Sequence, residues 1–491
     1  MRLILFIRNR LLSLLGSVLL LAVLLALFVA YRIAIFGQVD DSRRVANKAQ
    51  YLDSIRPGAG TEPRGPNIVF ILYDDMGYGD IGVGAADSAL IKTPNIDQLA
   101  RQGVMLSDFY SPAPVCTPSR AGFLTGRLPA RAGLHQVAYP TGSVTEFIAS
   151  TMLNPGANVR LPSDEITLAD VLGAAGYATG MVGKWHLGDR SPSLPNDMGF
   201  DSFYGALYSN DMQPFDLYRD TTVEVAAPVD QRYLTEIYTR ESTAFIEQHA
   251  RDRFFLYFAH NFPHDPLSVR QERSGKSDAG LFGDVLEELD DSVGEIVATL
   301  ERTGNLDNTL IIISSDNGPW FLGNAGNQRG RKGNTFEGGM RVPFIAHWPG
   351  VIPGDRIEPA MAMGTDLLPT FLDILDLPSP NDRTLDGRSI LDVLTSGAAS
   401  PHDYLYYYDA DRLFAVRDQQ FKYRGPAGVF YATDVWPVAV PAQQKEWLFD
   451  LIGDRGESYD TSDRYPQDLQ RLRSAFQAKV REMETNKRGW N

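Results

Sequence analysis

The chain has 491 residues, with 46 lysines and arginines against 61 aspartates and glutamates, a formal charge of −15 at pH 7. That balance argues against nucleic acid as a partner and offers no basic face to anionic lipid. The single cysteine, Cys116, excludes an intramolecular disulfide and a thiolate zinc site.

In chain order, the first element is apolar. Arg2, Arg8 and Arg10 precede "LLSLLGSVLLLAVLLALFVAY", Leu11 to Tyr31, which carries no charge and meets the roughly 20 residues that a hydrocarbon core requires. A cleavable signal has an apolar region of only about 7–15 residues, so residues 1–32 are expected to be an uncleaved anchor, with a secreted or periplasmic product after cleavage as the alternative. Arg32, Arg43, Arg44 and Lys48 follow the span, so basic residues do not fix its orientation. The expected placement is a bacterial inner membrane with the large domain outside the cytoplasm, facing the periplasm. The lone cysteine and the lack of any Asn-x-Ser/Thr acceptor support that setting. Residues 33–66, which include "IRPGAGTEPRGP", read as a linker.

From 67 to 376, short apolar runs alternate with helical segments, the pattern of an α/β sheet with helices on both faces. "NIVFILYDD" is a strand ending in Asp74 and Asp75. "TPNIDQLARQG" follows as a helix with Thr93 as cap and Pro94 in the first position. In "VCTPSRAGFLTGR", Thr117 is placed as N-cap and Pro118 as first residue of a helix that Gly126 stops. Cys116 then lies just before a helix N-terminus. Free N–H groups and the Arg120 fork would favour an anion there and lower a thiol pKa. From these residues alone, Cys116 reads either as a small buried hydrophobe or as a nucleophile.

"YATGMVGKWHLG" delivers Lys184 and His186, "FFLYFAHNFPHDP" delivers His260 and His264, and "NTLIIISSDNG" ends in Asp316 and Asn317, after a long helix that runs to Gly304. Ligands of open α/β sheets bind at the carboxyl ends of strands, so these groups are expected on one edge. If Asp74, Asp75 and Asp316 converge, each pair about 4 Å apart costs on the order of 4 kcal/mol at an effective dielectric of 20. A cation must offset that. With the Asn317 carbonyl the donors are all oxygen, which suits Ca²⁺ or Mg²⁺, and Ca²⁺ better tolerates irregular geometry. Asp-Asp or Asp-Asn-Gly alone commonly just terminates a strand; two such ends in one sheet point to metal. Lys184, Arg120 and the "RGRKGN" loop around Lys332 have surface charge as their ordinary alternative.

Residues 377–403 read as a Pro/Ser/Gly-rich connector. Residues 404–491 contain strand-forming "YLYYYDA", "RLFAVRD" and "FKYRGPAGVFYA" and helical "PQDLQRLRSAFQAKVREMETNK", which predicts a small antiparallel sheet with one terminal helix.

"CTPSRAGFLTG" and "GYATGMVGKWHLG" together resemble the two signature segments of the type I sulfatases, in the alkaline-phosphatase-like superfamily. "ERSG", "FGDVLEELD" and "RKGNTFEGGMRVP" resemble the arylsulfatase A and N-acetylgalactosamine-6-sulfatase branch. The resemblance implies a mixed sheet sandwiched by helices and a Cα-formylglycine made from Cys116 by a maturase. It also implies Asp74, Asp75, Asp316 and Asn317 as cation ligands together with residue 116, Arg120, Lys184 and Lys332 as sulfate and formylglycine partners, and His186 and His264 as catalytic histidines. His264 is chosen over His260 for its His-x-Pro context, and His135 is kept as a substrate-pocket candidate. The implied reaction is hydrolysis of an aryl or sugar sulfate. A hydrated aldehyde, acidified by the cation, attacks sulfur; His264 or Lys332 protonates the leaving alcohol; and His186 deprotonates the second hydroxyl so that sulfate is expelled. Two rival readings remain: a phosphonate monoester or phosphodiester hydrolase on the same site, and a noncatalytic anchored binding protein if Cys116 is not converted. Asp316-Asn317-Gly318 stands where di-zinc phosphatases of the superfamily carry Asp-His-Gly, which disfavours a zinc site.

Overall fold

The computed structural model describes residues 2–36, 40–58, 64–84, 90–149, 159–426, 429–431, 438–440 and 445–491. The large sheet has strands, in chain order, β1 (Asn67–Tyr73), β2 (Val104–Leu106), β3 (Ala178–Lys184), β4 (Ser202–Ala206), β5 (Leu217–Arg219), β6 (Thr222–Val225), β7 (Phe254–Ala259), β8 (Thr309–Ser315), β9 (Phe344–His347) and β10 (Arg356–Glu358). Across the sheet they run β10-β2-β9-β8-β1-β7-β3-β4-β5-β6. The central strands β8, β1, β7, β3 and β4 are mutually parallel. Antiparallel pairings on either side make the sheet mixed.

Every residue of β1 and β8 is buried, as expected when helices cover both faces and the strands read as continuous apolar runs. Side chains of a strand alternate between faces. Ile68, Phe70 and Leu72 therefore pack with Phe123, Leu172 and Phe371, while Val69, Ile71 and Tyr73 pack with Leu99, Leu289 and Val293. The register aligns the carboxyl ends: Tyr73 lies opposite Ser315, Leu72 opposite Ala259, and Lys184 opposite Ala206. Four chain segments thus leave the sheet at one edge, each leading into one of the polar pairs noted above.

The helices used below are α1 (Arg2–Phe36), α2 (Ser42–Ser54), α3 (Pro94–Gln102), α4 (Cys116–Thr125), α5 (Leu168–Ala174), α6 (Gly280–Arg302), α7 (Leu391–Ser396) and α8 (Pro466–Thr485). Within α1, Arg10–Ala30 is long and apolar enough to cross a bilayer, and none of it is buried in the protein. Thr93 does not cap α3. Its hydroxyl accepts from Gly82 N–H and donates to Asp97, while Asp290 of α6 takes the Asn95 and Ile96 N–H groups instead.

The stretch expected to be a linker holds α2, which docks on the large domain. Asp41 caps it through the Arg43 N–H at 2.9 Å, Lys48 makes a buried ion pair of 2.7 Å with Asp170 of α5, and Tyr51 donates to the Pro378 carbonyl at 2.8 Å. Asp40 pairs with Arg160 at 2.8 Å. "SRRVANKAQYLDS" has few apolar residues, so a hydrophobic pattern could not announce a helix anchored by charge and hydrogen bonds. Residues 59–63 of that stretch lie outside the described residues. The expected connector likewise contains α7, whose Val393 and Leu394 join the core.

The carboxyl-terminal sheet is antiparallel, with β11 (Leu405–Asp409), β12 (Arg412–Arg417), β13 (Phe421–Arg424) and β14 (Trp447–Asp450) in sequential order. α8 covers it through Leu472 and Phe476. Part of "FKYRGPAGVFYA" lies outside the described residues. The sheet meets the large domain through a buried polar network: Lys422 Nζ is 3.0 Å from both Glu337 and Glu457, Tyr110 donates to Glu337 at 2.6 Å, and Arg417 pairs with Asp108 at 3.0 Å.

Candidate active site

The carboxyl edge of the parallel strands gathers the polar groups into one buried cluster. After β1, Asp75 adopts a left-handed backbone with φ of 68°, a conformation that costs a non-glycine residue of order 1–3 kcal/mol and concentrates at functional sites. That turn places Asp75 N–H 3.2 Å from Asp316 Oδ1, joining the ends of β1 and β8. Carboxylate oxygens of Asp74, Asp75 and Asp316 and the Cys116 sulfur all lie within 4.8 Å of one another. Cys116 Sγ donates to Asp74 Oδ1 at 3.3 Å.

Cys116 is the first residue of α4, which starts two residues before the expected Pro118, with Val115 rather than Thr117 at the cap position. Thr117 does not cap. Its hydroxyl accepts from the Ala138 N–H at 3.1 Å, and the Ala138 carbonyl in turn meets His186 Nε2 at 3.0 Å. Gly126 ends α4 in the left-handed conformation, φ 68°.

Three cationic side chains meet the three acids. Lys184 pairs with Asp74, Arg120 Nε with Asp316 at 2.8 Å, and Lys332 with Asp75 at 2.8 Å. Arg120 also donates to the Lys184 carbonyl at 2.8 Å, which fixes the fork. Lys184 reaches the cluster because Gly183 lets β3 approach β7 closely: a Cβ there would stand 1.9 Å from the Ala259 carbonyl oxygen. Lys332 is held by two backbone contacts of its loop, Lys332 N–H to Pro319 O at 3.0 Å and Gly333 N–H to Pro114 O at 2.8 Å.

The histidines separate. His264 lines a cavity of 600 Å³ with Asp75, Asp211, Asp265, Pro266, Trp320 and Lys332. Its Nδ1 faces the Asp265 carbonyl at 2.5 Å and its Nε2 lies 3.8 Å from Asp75. His260 is fully buried beneath, packed against Tyr238, Phe258 and Phe262, with Nδ1 accepting from Phe262 N–H at 2.8 Å. His186 is buried, with φ of 61°. His135 sits beside Lys487 and Asp411 and is not among the residues lining the cavity.

Burial alone would raise the Asp74 carboxyl; Lys184, His264, Arg120 and Lys332 overturn that and hold it well below the usual carboxylate range. Asp316 goes the other way, to about 7, through burial and the negative charge of Asp74, against Arg120. Two acids pushed apart in one site are what like charges in low dielectric produce. Burial opposes the charge on Lys332, yet Asp75 and its neighbours raise its pKa well above normal, so it stays protonated. Burial, then Lys184 and Arg120, keep His186 well below its usual range and therefore neutral. Burial and the Asp74 charge push the Cys116 thiol up, so the unmodified thiol is a poor nucleophile near neutral pH.

Among the described residues, several buried polar atoms make no hydrogen bond: Asn317 Oδ1, His186 Nδ1 and Arg120 Nη2, the last lying 3.9 Å from Asp74 Oδ1. Buried groups of this kind ordinarily are satisfied. Asn317 donates through Nδ2 to Asp75 at 2.6 Å, which sets its amide beside the acid cluster, and its carbonyl is the kind of oxygen donor that a hard cation takes. The orphan Arg120 nitrogen fits an oxyanion.

Asp74, Asp75, Cys116, Arg120, Lys184, His186, His264, Asp316, Asn317 and Lys332 thus lie in or against this cluster, whereas His135 does not. Asp211, Asp265 and Trp320 are additions, as is the Ala138 carbonyl that orients His186. Asp211 and Asp265 follow β4 and β7, so the rule that ligands gather at strand carboxyl ends marks their segments, although not the residues themselves.

Comparison with known proteins agrees with this architecture. The chain is 36% identical over 444 residues to arylsulfatase A of Homo sapiens, covering 81% of this chain and 83% of that protein. It is 36% identical over 389 residues to N-acetylgalactosamine-6-sulfatase of Homo sapiens, covering 74% and 72%. The PsFucS1 sulfatase from Pseudoalteromonas sp. superposes with a TM-score of 0.76 at 28% identity, over 90% of this chain and 95% of that one. A C-terminal N-sulphoglucosamine sulphohydrolase model matches residues 331–438, and the Sulfatase family model matches residues 66–377, the stretch that contains the whole acid and base cluster. The chain is thus a member of the sulfatase family, a hydrolase of sulfuric esters.

Proposed function

We propose that Cys116 is converted to Cα-formylglycine by a maturase, and that the enzyme hydrolyses aryl or sugar sulfate monoesters with a divalent cation held by Asp74, Asp75, Asp316, the Asn317 amide oxygen and residue 116. Ca²⁺ is favoured over Mg²⁺, because the donors come from separate loops rather than an octahedral frame. When bound, the cation lowers the pKa of the hydrated aldehyde and supplies the charge that the acid cluster calls for. The observation that carries this reading is the shared position of residue 116 and the three carboxylates, within 4.8 Å of one another, with three cations directed at the same acids.

Arg120 Nη2, which makes no hydrogen bond among the described residues, together with Lys184 and Lys332, binds the sulfuryl oxygens and stabilises the charge that grows on them. Asp74, Asp75 and Asp316 already offset these three bases, so a dication leaves the pocket with two positive charges. A sulfate monoester brings one negative charge, and the second develops only as the ester bond breaks. The pocket therefore favours the later state over the bound substrate, which is the differential binding that lowers a barrier.

His264, with Nε2 toward the cavity, donates a proton to the leaving alcohol; Lys332, the alternative donor, is held too weak an acid by Asp75. His186 directs Nε2 to the Ala138 carbonyl, which leaves the lone pair on Nδ1. That nitrogen accepts the proton that frees sulfate. α1 anchors the chain in a bacterial inner membrane with the site facing the periplasm.

Chain co-produced with a formylglycine-generating maturase is expected to release sulfate from 4-nitrophenyl sulfate. EGTA should lower the rate at least about tenfold, with Ca²⁺ restoring it better than Mg²⁺. Full activity in EGTA contradicts the calcium assignment. Faster hydrolysis of a phenyl phosphonate monoester than of the sulfate would establish the phosphonate reading, and turnover of neither would leave a binding protein.

A further inference from the structure

Beyond the sulfate-binding cluster and the proton donor His264, the charged groups on the cavity wall among the described residues are acidic. Asp211 and Asp265 line it with Asp75, and among the described residues Lys332 is its only lysine or arginine. Lys332 is committed to Asp75 at 2.8 Å. Arg331, the next cation on that loop, turns away to the carbonyls of Trp320 and Gly323 at 2.8 and 2.6 Å, and does not line the cavity. Trp320 offers the aromatic surface.

We propose that Asp211 and Asp265 set the leaving-group preference: the site takes sulfate monoesters whose alcohol is neutral or amine-bearing and presents an apolar face to Trp320, and it rejects alcohols carrying a further sulfate or carboxylate. This rests on the sulfatase reading above and adds the substrate class. A bound sulfate group points its ester oxygen out of the cluster, so the rest of the substrate must fill the cavity between Trp320 and the two aspartates. Among the described residues, a second anion there meets no lysine or arginine other than Lys332 and faces the part-buried Asp265 and the exposed Asp211, whose repulsion opposes it and is screened by salt.

The test uses one aromatic frame: 4-(sulfooxy)benzoate, its uncharged methyl ester, and 4-(aminomethyl)phenyl sulfate, assayed with the full-length, maturase-treated enzyme. The expected kcat/KM for the methyl ester exceeds that for the carboxylate at least about tenfold at low ionic strength, and the ratio shrinks in 0.5 M salt. The Asp211→Asn/Asp265→Asn variant should reduce that ratio to about threefold or less, and should remove any advantage of the aminomethyl ester over the methyl ester. A wild-type ratio near one, or a ratio that the double variant leaves unchanged, overturns the proposal while both esters still turn over. Failure of the wild type to hydrolyse any of the three overturns the sulfatase reading itself, and the preference with it.

Discussion

Cys116→Ala is expected to lower sulfate release from 4-nitrophenyl sulfate at least about 10³-fold, as loss of a covalent nucleophile does in other hydrolases. The residue begins α4 in the acid cluster, its sulfur within 4.8 Å of the three carboxylates. The loss should fall on kcat. Arg120, Lys184 and Lys332 remain to hold the sulfuryl group, so inorganic sulfate should still bind the variant. Folding should survive, because the sulfur makes a single weak hydrogen bond to Asp74 at 3.3 Å and removing one buried atom leaves little cavity. An unchanged melting temperature with lost turnover separates chemistry from structure. Cys116→Ser should behave like the alanine variant unless the host's maturase accepts serine. Cys116→Ala retaining a tenth of the wild-type rate would exclude residue 116 as the nucleophile.

Lys422→Met is expected to destabilise the chain by about 3–5 kcal/mol, because it leaves buried carboxylates without their cation. Lys422 is fully buried, and its ammonium bridges Glu337 and Glu457, which come from the large domain and from the segment after β14. Burial works against Glu337, yet Lys422 and Arg417 hold it below its usual range; burial raises Glu457 against the pull of Lys422. Removing the lysine forces one of the two to protonate or to repel the other. The readout is the thermal midpoint of the carboxyl-terminal unit, followed by tryptophan fluorescence from Trp447 of β14. The triple variant Lys422→Met/Glu337→Gln/Glu457→Gln should recover most of the loss, since matched neutral partners can be nearly as stable as a buried ion pair. No recovery would mean that lost packing, rather than stranded charge, is the cause.

The legible part of the fold was its periodicity and strand ends. Continuous apolar runs marked β1, β7 and β8 because strands buried on both faces lack alternation, and each run ended at the residues that form the site. Left-handed Asp75 and His186 were not legible: nothing in Asp-Asp-Met or Trp-His-Leu announces a positive φ on a non-glycine residue. α2 escaped because its docking rests on Lys48 with Asp170 and Tyr51 with Pro378, partners more than a hundred residues away. Thr93 and Thr117 have the right chemistry for caps, but N–H groups from other segments, those of Gly82 and Ala138, use their hydroxyls. The signature segments identified residues for the site and the His-x-Pro context singled out His264 over His260; only the folded wall revealed Asp211 and Asp265.

The central claim is that residue 116 works as an aldehyde inside a cation-binding acid cluster. Mass spectrometry of the tryptic peptide Gln102–Arg120 from active, maturase-treated enzyme tests it most directly. The peptide should be about 18 Da lighter than its sequence mass, thiol having been replaced by carbonyl. Fully active enzyme whose Cys116 peptide carries an intact thiol would contradict it.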